Sequence, residues 1–231
     1  MEAFWPGPLT LVAPVRDAEA VCDLARAGLN TVAVRAPGHR LAQAVLRAFG
    51  EPVVAPSANR SGGPSPTTWG DAVADTGAWA AGALDGGPCE IGVESTVVAL
   101  LPGAARLLRP GAVTRSQIEA LIGPLAEAEV DAVRSPGRMA RHYAPSAPLR
   151  LEATEPRAGE AFLAFGPAHE HPWMFNLSPA GDLAQAAANF FAFLRAADAL
   201  CPTAIAVAPI PAEGLGEAIN DRLRRAAGYI G

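Results

Sequence analysis

The sequence contains no lysine, so its 18 basic residues are all arginine. They are outnumbered by 23 Asp and Glu residues, which gives a formal net charge of −5 at pH 7. This balance argues against broad, sequence-independent capture of nucleic acid, which depends on an excess of basic groups facing phosphates. A local basic pocket is still compatible with it.

Cysteines and long apolar runs are also scarce. The three cysteines, Cys22, Cys89 and Cys201, are odd in number and share no metal-like spacing, so we expect free thiols in a reducing compartment. No apolar run reaches membrane-spanning length, and no charged-then-apolar leader follows Met1. The sequence therefore predicts a soluble cytoplasmic protein without membrane contact.

What the chain does contain is a large apolar fraction. Half of its 231 residues are hydrophobic and 18% are charged, which predicts a packed core in one large domain or two modest ones. Strand-like and helix-like segments alternate, which is typical of the α/β and α+β classes. We expect a first domain over residues 1–123, a proline-rich linker over 124–148 and a small C-terminal domain over 149–231.

The most informative stretch runs from Pro52 to Thr68 and reads PVVAPSANRSGGPSPTT. Val53 to Ala55 predict a short buried strand, and Thr67 or Thr68 is suited to cap a following helix. Between them lies a loop of serine, asparagine, arginine and glycine, whose N–H groups and hydroxyls would gather at a sheet edge. Such a loop favours an anion, typically a phosphate, although by itself it fits a plain polar connection equally well.

Periodicity and capping residues predict the other elements. In the first domain they indicate a strand within FWPGPLTLV, a helix over 17–27, a strand over 31–34, helices over 39–49 and 68–76, strands over 91–101 and 107–108, and a helix that the TRSQ capping-box pattern starts at Thr114. In the C-terminal domain they indicate strands over 161–165, 174–177 and 205–208, and helices over 182–200 and 215–227.

Five blocks of the first domain carry a family resemblance: FWPGPLTLV, NTVAVRAP, APSANRSGGPSPT, GVESTVV and RPGAVT. In this order they resemble the YrdC-like family of L-threonylcarbamoyladenylate synthases. The later SPGRMARHYAP block and the C-terminal unit resemble the long, two-domain form of that enzyme. The resemblance implies an α/β (α+β) fold, with a twisted mixed sheet and flanking helices followed by a small three-stranded α/β domain.

The resemblance also implies a reaction, in which L-threonine, bicarbonate and ATP, with Mg²⁺, give threonylcarbamoyl-AMP and pyrophosphate. The product serves threonylcarbamoylation of adenosine in tRNA, so the implied partners are downstream tRNA-modification proteins, with RNA contact open. Attack at the α-phosphorus concentrates negative charge on the phosphoryl oxygens, so catalysis would depend on positioning, cations and N–H donors. No residue has the surroundings of a nucleophile, because the four histidines are scattered.

An amino-acid substrate needs a cation for its carboxylate, and arginine offers a two-pronged fit. Arg35 follows a predicted strand, and we expect it to hold that carboxylate; the alternative is a surface salt bridge. The resemblance places Ala55 and Ser95 at threonine as well, although a serine in a strand is also ordinary filler.

The resemblance places four further residues at ATP: Thr31, Ser57, Ser65 and Arg109. Arg109 precedes a Pro-Gly turn that would fix its direction, which suits a phosphate clamp, with a purely structural arginine as the alternative. Asn59 is expected to brace its loop through its side chain.

The SPGRMARHYAP block adds candidates for the nucleotide pocket. Tyr143 is suited to stack on the base, and Arg141 or His142 to contact a phosphate. The alternative is a proline-rich connector. The His-Glu-His run at 169–171 resembles metal ligands but lacks a third partner, so no metal site is assigned.

In the resembled family, a strand, a helix, a threonine and a lysine-arginine motif precede FWPGPLT, and this sequence shows none of them ahead of it. We therefore expect the sequence to be an incomplete record of a full enzyme. Two other functions fit the residues: a non-catalytic module that binds nucleotide or RNA, and another carbamoyl-adenylate enzyme such as a hydrogenase-maturation carbamoyltransferase. The SPGRMARHYAP block and the C-terminal unit argue against the latter.

Overall fold

A computed structural model of the chain describes residues 2–17, 19–127 and 142–228. The contacts between these residues divide the chain into two units. The first falls within Met1–Pro56 and Glu94–Ser135, and the second within Ser57–Val93 and Pro136–Gly231. Helices and strands occur in both, which confirms the α/β class. The sequence predicts different boundaries, with one domain ending at residue 123 and the next beginning at residue 149, and this division stays a prediction.

A five-stranded sheet organises the first unit. Its strands are β1 (Leu9–Pro14), β2 (Thr31–Val34), β3 (Thr96–Ala99), β4 (Arg106–Arg109) and β5 (Ala126–Glu127). Their spatial order is β2-β1-β3-β4-β5. Two pairings are antiparallel, β1 with β2 and β3 with β4, and two are parallel, β1 with β3 and β4 with β5. The sheet is therefore mixed, as the resemblance implied.

Side chains alternate along these strands and build a core on each face of the sheet. One cluster contains Leu9, Leu11, Val98, Leu107, Val113, Ile118 and Leu125. Ile118 belongs to helix α3 (Arg115–Ile122), which packs on this face. The other is formed by Val12, Val97, Ala99 and Leu108. Because consecutive residues of β1 enter opposite clusters, a slip of one residue would exchange the two faces, and the register of β1 is strongly specified.

Two helices of the first unit confirm their predicted ends. Helix α1 (Arg40–Phe49) starts after His39 and stops at Gly50, whose φ of 81° lies in the left-handed region that favours glycine. At the start of α3, Thr114 and Gln117 form a complete capping box. The Thr114 hydroxyl accepts from the Gln117 N–H at 3.3 Å, and the Gln117 side chain accepts from the Thr114 N–H at 2.8 Å.

The helix predicted over 17–27 is wrong. The described residues of this segment form successive turns, with Leu24 93% exposed. Arg26 folds back over them and donates from Nε to the carbonyl of Val21 and from Nη1 to that of Leu29. A short helix is stable mainly when it buries an apolar face, and the exposed leucine shows that none is buried here.

The buried strand predicted over 53–55 is also wrong. No described strand pairs with this segment, and Val53 and Val54 are 50% and 69% exposed. Helix α1 likewise leaves the apolar side chains of Val45 and Phe49 41% and 63% exposed. The pattern identified the apolar side chains, but a strand also needs a hydrogen-bonding neighbour, which the described residues do not supply.

A parallel sheet of four strands, in the order β6-β9-β7-β8, organises the second unit. Its strands are β6 (Leu149–Arg150), β7 (Glu160–Ala164), β8 (Met174–Asn176) and β9 (Ala204–Val207). The sequence predicts three of these, and the short β6 adds a fourth. The helices of this unit are α2 (Trp69–Thr76), α4 (Leu183–Ala199) and α5 (Leu215–Ala226). As predicted, Thr68 caps α2, because its hydroxyl accepts from the Asp71 N–H at 3.1 Å.

Strand β7 and helix α4 form the centre of the core of the second unit. All five residues of β7 are buried, and α4 packs on it. Helix α4 begins after Asp182, whose side chain accepts from the Gln185 N–H, and its buried face includes Phe190, Phe191 and Leu194, as the spacing predicted. Among the described residues, no helix combines the length and the apolar character needed to cross a bilayer.

A buried carboxylate at the start of β7 is paired. Glu160 is 5% exposed and accepts from Nε of Arg150 at 2.9 Å and from the N–H of Arg157 at 2.7 Å. The hydrogen bond from Arg150 lowers the pKa of Glu160 below its ordinary value, against the opposing effect of burial. At pH values above the ordinary pKa of glutamate, the ionised carboxylate therefore stabilises the fold. This stabilisation is lost as the pH falls through the lowered pKa of Glu160 in the folded protein.

We expect Glu160→Gln to lower the thermal unfolding midpoint at pH 7 and to flatten its dependence on acid. The wild-type midpoint should fall as the pH drops below about 4.3, because the unfolded chain then binds a proton at this carboxylate more readily than the folded protein does. The variant has no such group to protonate. Unfolding followed by circular dichroism across this range measures both effects. Glu170→Gln, at an exposed position, is the control; an equal change in its pH curve would contradict the assignment.

Candidate active site

Four residues lie along one edge of the five-stranded sheet, and we call them the edge row. The register of β1 with β2 places Arg35, the residue after β2, level with Thr10. Ser95 immediately precedes β3, and Arg109 ends β4. Because β2 and β4 run antiparallel to β1 and β3, the ends of the first pair meet the beginnings of the second.

A hydrogen-bond network joins three members of the edge row. The hydroxyl oxygens of Thr10 and Ser95 lie 2.7 Å apart. Arg109 donates to the carbonyl of Ser95 from Nε at 3.2 Å and from Nη2 at 2.9 Å, and Nη2 also donates to the Ser95 hydroxyl at 3.2 Å. Two donors on one oxygen fix the plane of the guanidinium. Ser95 is buried, whereas Arg35 is exposed.

The turn after Arg109 is fastened to the start of β3 by backbone contacts. A Cβ on Gly111 would lie 2.4 Å from the carbonyl oxygen of Glu94 and 2.5 Å from the nitrogen of Thr96, so only glycine allows this approach. Beside it, the fully buried Thr96 hydroxyl accepts from the Val113 N–H at 3.0 Å and donates to the Val113 carbonyl. These contacts set the position from which Arg109 reaches Ser95.

Two predicted site residues of the first unit are placed differently. Thr31 begins β2 and pairs with Pro14, at the opposite edge of the sheet from the edge row. Four residues of strand, roughly 13 Å, separate it from Arg35. Ala55 is exposed in a segment without secondary structure. The structure therefore brings Arg35, Ser95 and Arg109 to one edge and does not bring Thr31 there.

The loop that carries Ser57 and Ser65 belongs to the second unit. Ser57 is exposed, whereas Ser65 is 8% exposed. Asn59 braces the loop, as predicted, because its Nδ2 donates to the carbonyls of Arg60 and Gly63 at 2.8 and 3.1 Å. The Oδ1 atom of Asn59 is buried and accepts no hydrogen bond from the described residues. The loop therefore keeps one buried acceptor for a solvent or ligand donor.

Tyr143 is buried in the second unit and is not open for stacking. Its ring is 1% exposed and lies 5.5 Å from the ring of Phe191, 3.9 Å from that of His142 and 5.6 Å from the guanidinium carbon of Arg222. A base stacked on this ring would have to displace these neighbours, and stacking by Tyr143 stays a prediction. Contact of Tyr143 and His142 with ATP through other atoms stays a prediction, and Arg141 lies outside the described residues.

The described residues do not form a metal-binding cluster. No group of three His, Cys, Asp or Glu side chains there could hold a metal ion, and this includes the run at 169–171. Cys22, Cys89 and Cys201 are exposed free thiols, which confirms that expectation.

Sequence reasoning weighed the hydroxyls of Ser95 and Thr96 and favoured Ser95, but it overlooked that of Thr10. Thr10 sits in a strand, where β-branched residues are ordinary, so its identity carried little signal. The alternation in LTLV could have indicated Thr10, because it places this residue on the face opposite the cluster that buries Leu9 and Leu11. Nothing local in the sequence indicates that its hydroxyl meets that of Ser95, 85 residues later.

Comparison with known proteins covers nearly the whole chain. The family model described as telomere recombination matches residues 1–111, and the model described as threonylcarbamoyl-AMP synthase, C-terminal domain, matches residues 113–228. The threonylcarbamoyl-AMP synthase of Bacillus subtilis is 38% identical, over 99% of this chain and 72% of that protein. The threonylcarbamoyl-AMP synthase of Pyrococcus abyssi is 36% identical, over 98% and 72%. The crystal structure of P. abyssi Sua5 complexed with L-threonine has a TM-score of 0.88 at 34% identity, covering 99% of this chain and 72% of that one.

We expect Gly111→Ala to destabilise the protein by about 1–3 kcal/mol, because the new methyl group would overlap the backbone at the start of β3. Chemical denaturation measures the loss. Gly82→Ala is the matched control, since no atom lies within 4 Å of a Cβ at that position, and its effect should stay within about 0.5 kcal/mol. Equal losses in the two variants would mean that the close approach at Gly111 is not the cause.

Proposed function

This chain belongs to the threonylcarbamoyl-AMP synthase family, and we propose that it forms threonylcarbamoyl-AMP and pyrophosphate from L-threonine, bicarbonate and ATP. The observation that carries the proposal is the match of 99% of the chain, at a TM-score of 0.88, to a relative whose crystal structure contains L-threonine. The reaction is a nucleotidyl transfer. The threonine nitrogen becomes bonded to the bicarbonate carbon with loss of water, and an oxygen of the resulting carbamate displaces pyrophosphate from the α-phosphorus.

Threonine is proposed to bind at the edge row. Arg35 is exposed there, and a guanidinium forms two parallel hydrogen bonds with a carboxylate. The Ser95 hydroxyl already accepts from Arg109. If the Thr10 hydroxyl also donates to it, the proton of Ser95 is directed away from both, towards a substrate acceptor. Ala55 is proposed as a backbone contact.

ATP is proposed to contact the remaining candidate residues. Arg109 is the cation for the phosphoryl oxygens, and its fixed plane means that little reorganisation accompanies the build-up of charge. The loop of the second unit would supply Ser57 and Ser65. The remaining proposed contacts are Thr31, Arg141, His142 and Tyr143.

Mg²⁺ is proposed to arrive as part of the ATP complex. In nucleotide complexes Mg²⁺ is usually held by phosphate oxygens and water, with one or two carboxylates. When bound, it would neutralise charge on the phosphates. The product is proposed to pass to proteins that modify adenosine in tRNA, and the reaction to take place in the cytoplasm, where tRNA and ATP are both present.

We expect the purified chain to release pyrophosphate only when L-threonine, bicarbonate, ATP and Mg²⁺ are all present. A coupled pyrophosphate assay measures the rate, and mass spectrometry identifies the adenylate. Omission of each component in turn is the control. Binding of ATP without pyrophosphate release would contradict the proposal and favour a non-catalytic nucleotide-binding module.

We expect Arg35→Ala to raise KM for threonine at least about tenfold and to leave KM for ATP nearly unchanged, because a hydrogen-bonded charge contributes roughly 1.5–3 kcal/mol. Steady-state kinetics with each substrate varied in turn separates the two constants. Arg40→Ala removes a neighbouring exposed arginine at the start of α1 and should change neither. A parallel rise in both constants would assign Arg35 to a general role.

A further inference from the structure

We infer that Arg195, on helix α4, is a positioning residue that holds the loop between Ser57 and Ser65 in its ligand-binding arrangement. The inference rests on the proposed function for the identity of the ligand, which is ATP. Its structural part concerns contacts within the second unit alone.

Arg195 connects three segments through one guanidinium. Nη1 donates to the carbonyl of Pro64 at 2.9 Å, and Pro64 immediately precedes Ser65. The same group forms a two-pronged pair with Asp75 of α2, at 3.0 and 3.2 Å. Nε lies 3.4 Å from a carboxylate oxygen of Asp71, one turn earlier on α2. The loop, the helix that follows it and α4 therefore meet at this side chain.

The loop is attached to its surroundings at three successive points. Asp75 accepts from the backbone N–H of Arg60, which adds a second link through the same carboxylate. The carbonyl of Gly62 accepts from the N–H of Ala144 at 2.8 Å. The carbonyl of Pro64 accepts from Arg195. All three attachments use backbone groups of the loop, so they fix its path directly.

Packing fixes only part of this loop, because Ser65 is buried whereas the residues before it line a cavity. A cavity of about 1090 Å³ lies along it and is lined largely by small residues, among them Gly62, Gly63, Ala192, Ala196 and Ala199. Side chains of this size leave the space between loop and α4 open. A loop beside a cavity lacks the close contacts that fix interior segments, so its polar attachments decide where it lies.

The ion pair is suited to this role at neutral pH. The side chains of Arg195 and Asp75 are 19% and 13% exposed, so solvent screens their attraction less than that of a surface pair. The hydrogen bond from Arg195 lowers the pKa of Asp75 below its ordinary value. The pair is therefore fully ionised above the ordinary pKa of aspartate and is weakened only in acid.

Helix α4 also holds the second segment that is proposed to contact ATP. Asp198, three residues after Arg195, accepts from the N–H groups of Ser146 and Ala147, both at 2.9 Å. These residues follow closely on Tyr143. Residues three apart on a helix share a face, so one face of α4 supports both segments.

The test compares Arg195→Ala with Arg195→Lys and with the matched control Arg150→Ala. Arg150 also binds one carboxylate with two donors, those to Glu160, and one backbone carbonyl, that of Glu155, but it lies in the C-terminal sheet. Two readouts are used on each ligand-free chain: hydrogen exchange of peptides covering 57–68, followed by mass spectrometry, and the Kd of α,β-methylene-ATP by calorimetry.

In Arg195→Ala we expect exchange over 57–68 to become at least about tenfold faster and Kd to rise on the order of tenfold, because hydrogen bonds to a charged group are lost from a local opening equilibrium. Arg195→Lys keeps the charge but not the planar fork, and should give intermediate values. Arg150→Ala should speed exchange over 149–164 alone and leave Kd unchanged.

Unchanged exchange over 57–68 in Arg195→Ala, or the same increase in Arg150→Ala, would overturn the inference. Faster exchange with an unchanged Kd would also overturn it, since the residue would then be structural only. If the wild-type chain binds no nucleotide, the proposed function fails, while the exchange measurements still decide whether Arg195 holds the loop.

Discussion

The register of β1 between β2 and β3 is the constraint on which the first unit depends. Consecutive side chains of β1 enter different clusters, Leu11 on one face and Val12 on the other, so a slip by one residue would empty both. The same register sets Thr10 level with Arg35 on one side and close to Ser95 on the other. Burial of the apolar side chains thus sets the strand register, and the register places the polar residues of the edge row beside one another. The edge row is a consequence of core packing, and it is where we propose that threonine binds.

Hydrogen bonds hold three polar side chains of the edge row, those of Thr10, Ser95 and Arg109, in place before any ligand arrives. Ser95 is nearly fully buried, yet its hydroxyl and carbonyl are both hydrogen-bonded. Arg109 donates two hydrogen bonds to that carbonyl. Gly111, in the turn after Arg109, has no side chain and lets this turn approach the start of β3 closely. Fixed donors stabilise developing charge better than mobile ones, because their dipoles need no reorganisation. In a chain without lysine, a planar guanidinium serves this purpose better than a flexible ammonium would.

Local chemistry in the sequence predicted the elements whose determinants are local. The capping box at Thr114 and the spacing of the long helix α4 need only neighbouring residues, and both were confirmed. The helix over 17–27 and the strand over 53–55 failed because each depends on a partner surface, which a single segment does not encode. The candidate site divides in the same way. Motif resemblance found Arg35, Ser95 and Arg109, whereas Thr10 became visible only through pairing of strands far apart in sequence.

The contact between Arg195 and Pro64 spans 131 residues and shows why helix α4 matters to the proposed site. A glycine-rich loop gains reach from its flexibility but has to be ordered before it can bind, and that ordering costs free energy. The buried Phe190 and Phe191 fix α4 in the core. Because the loop is attached to α4, it is already partly ordered in the folded protein, and less free energy is lost when a ligand binds. The second segment proposed for ATP, at Tyr143, is anchored to the same helix through Phe191. A shared rigid support keeps two segments, separated by about eighty residues, in a constant relation to each other.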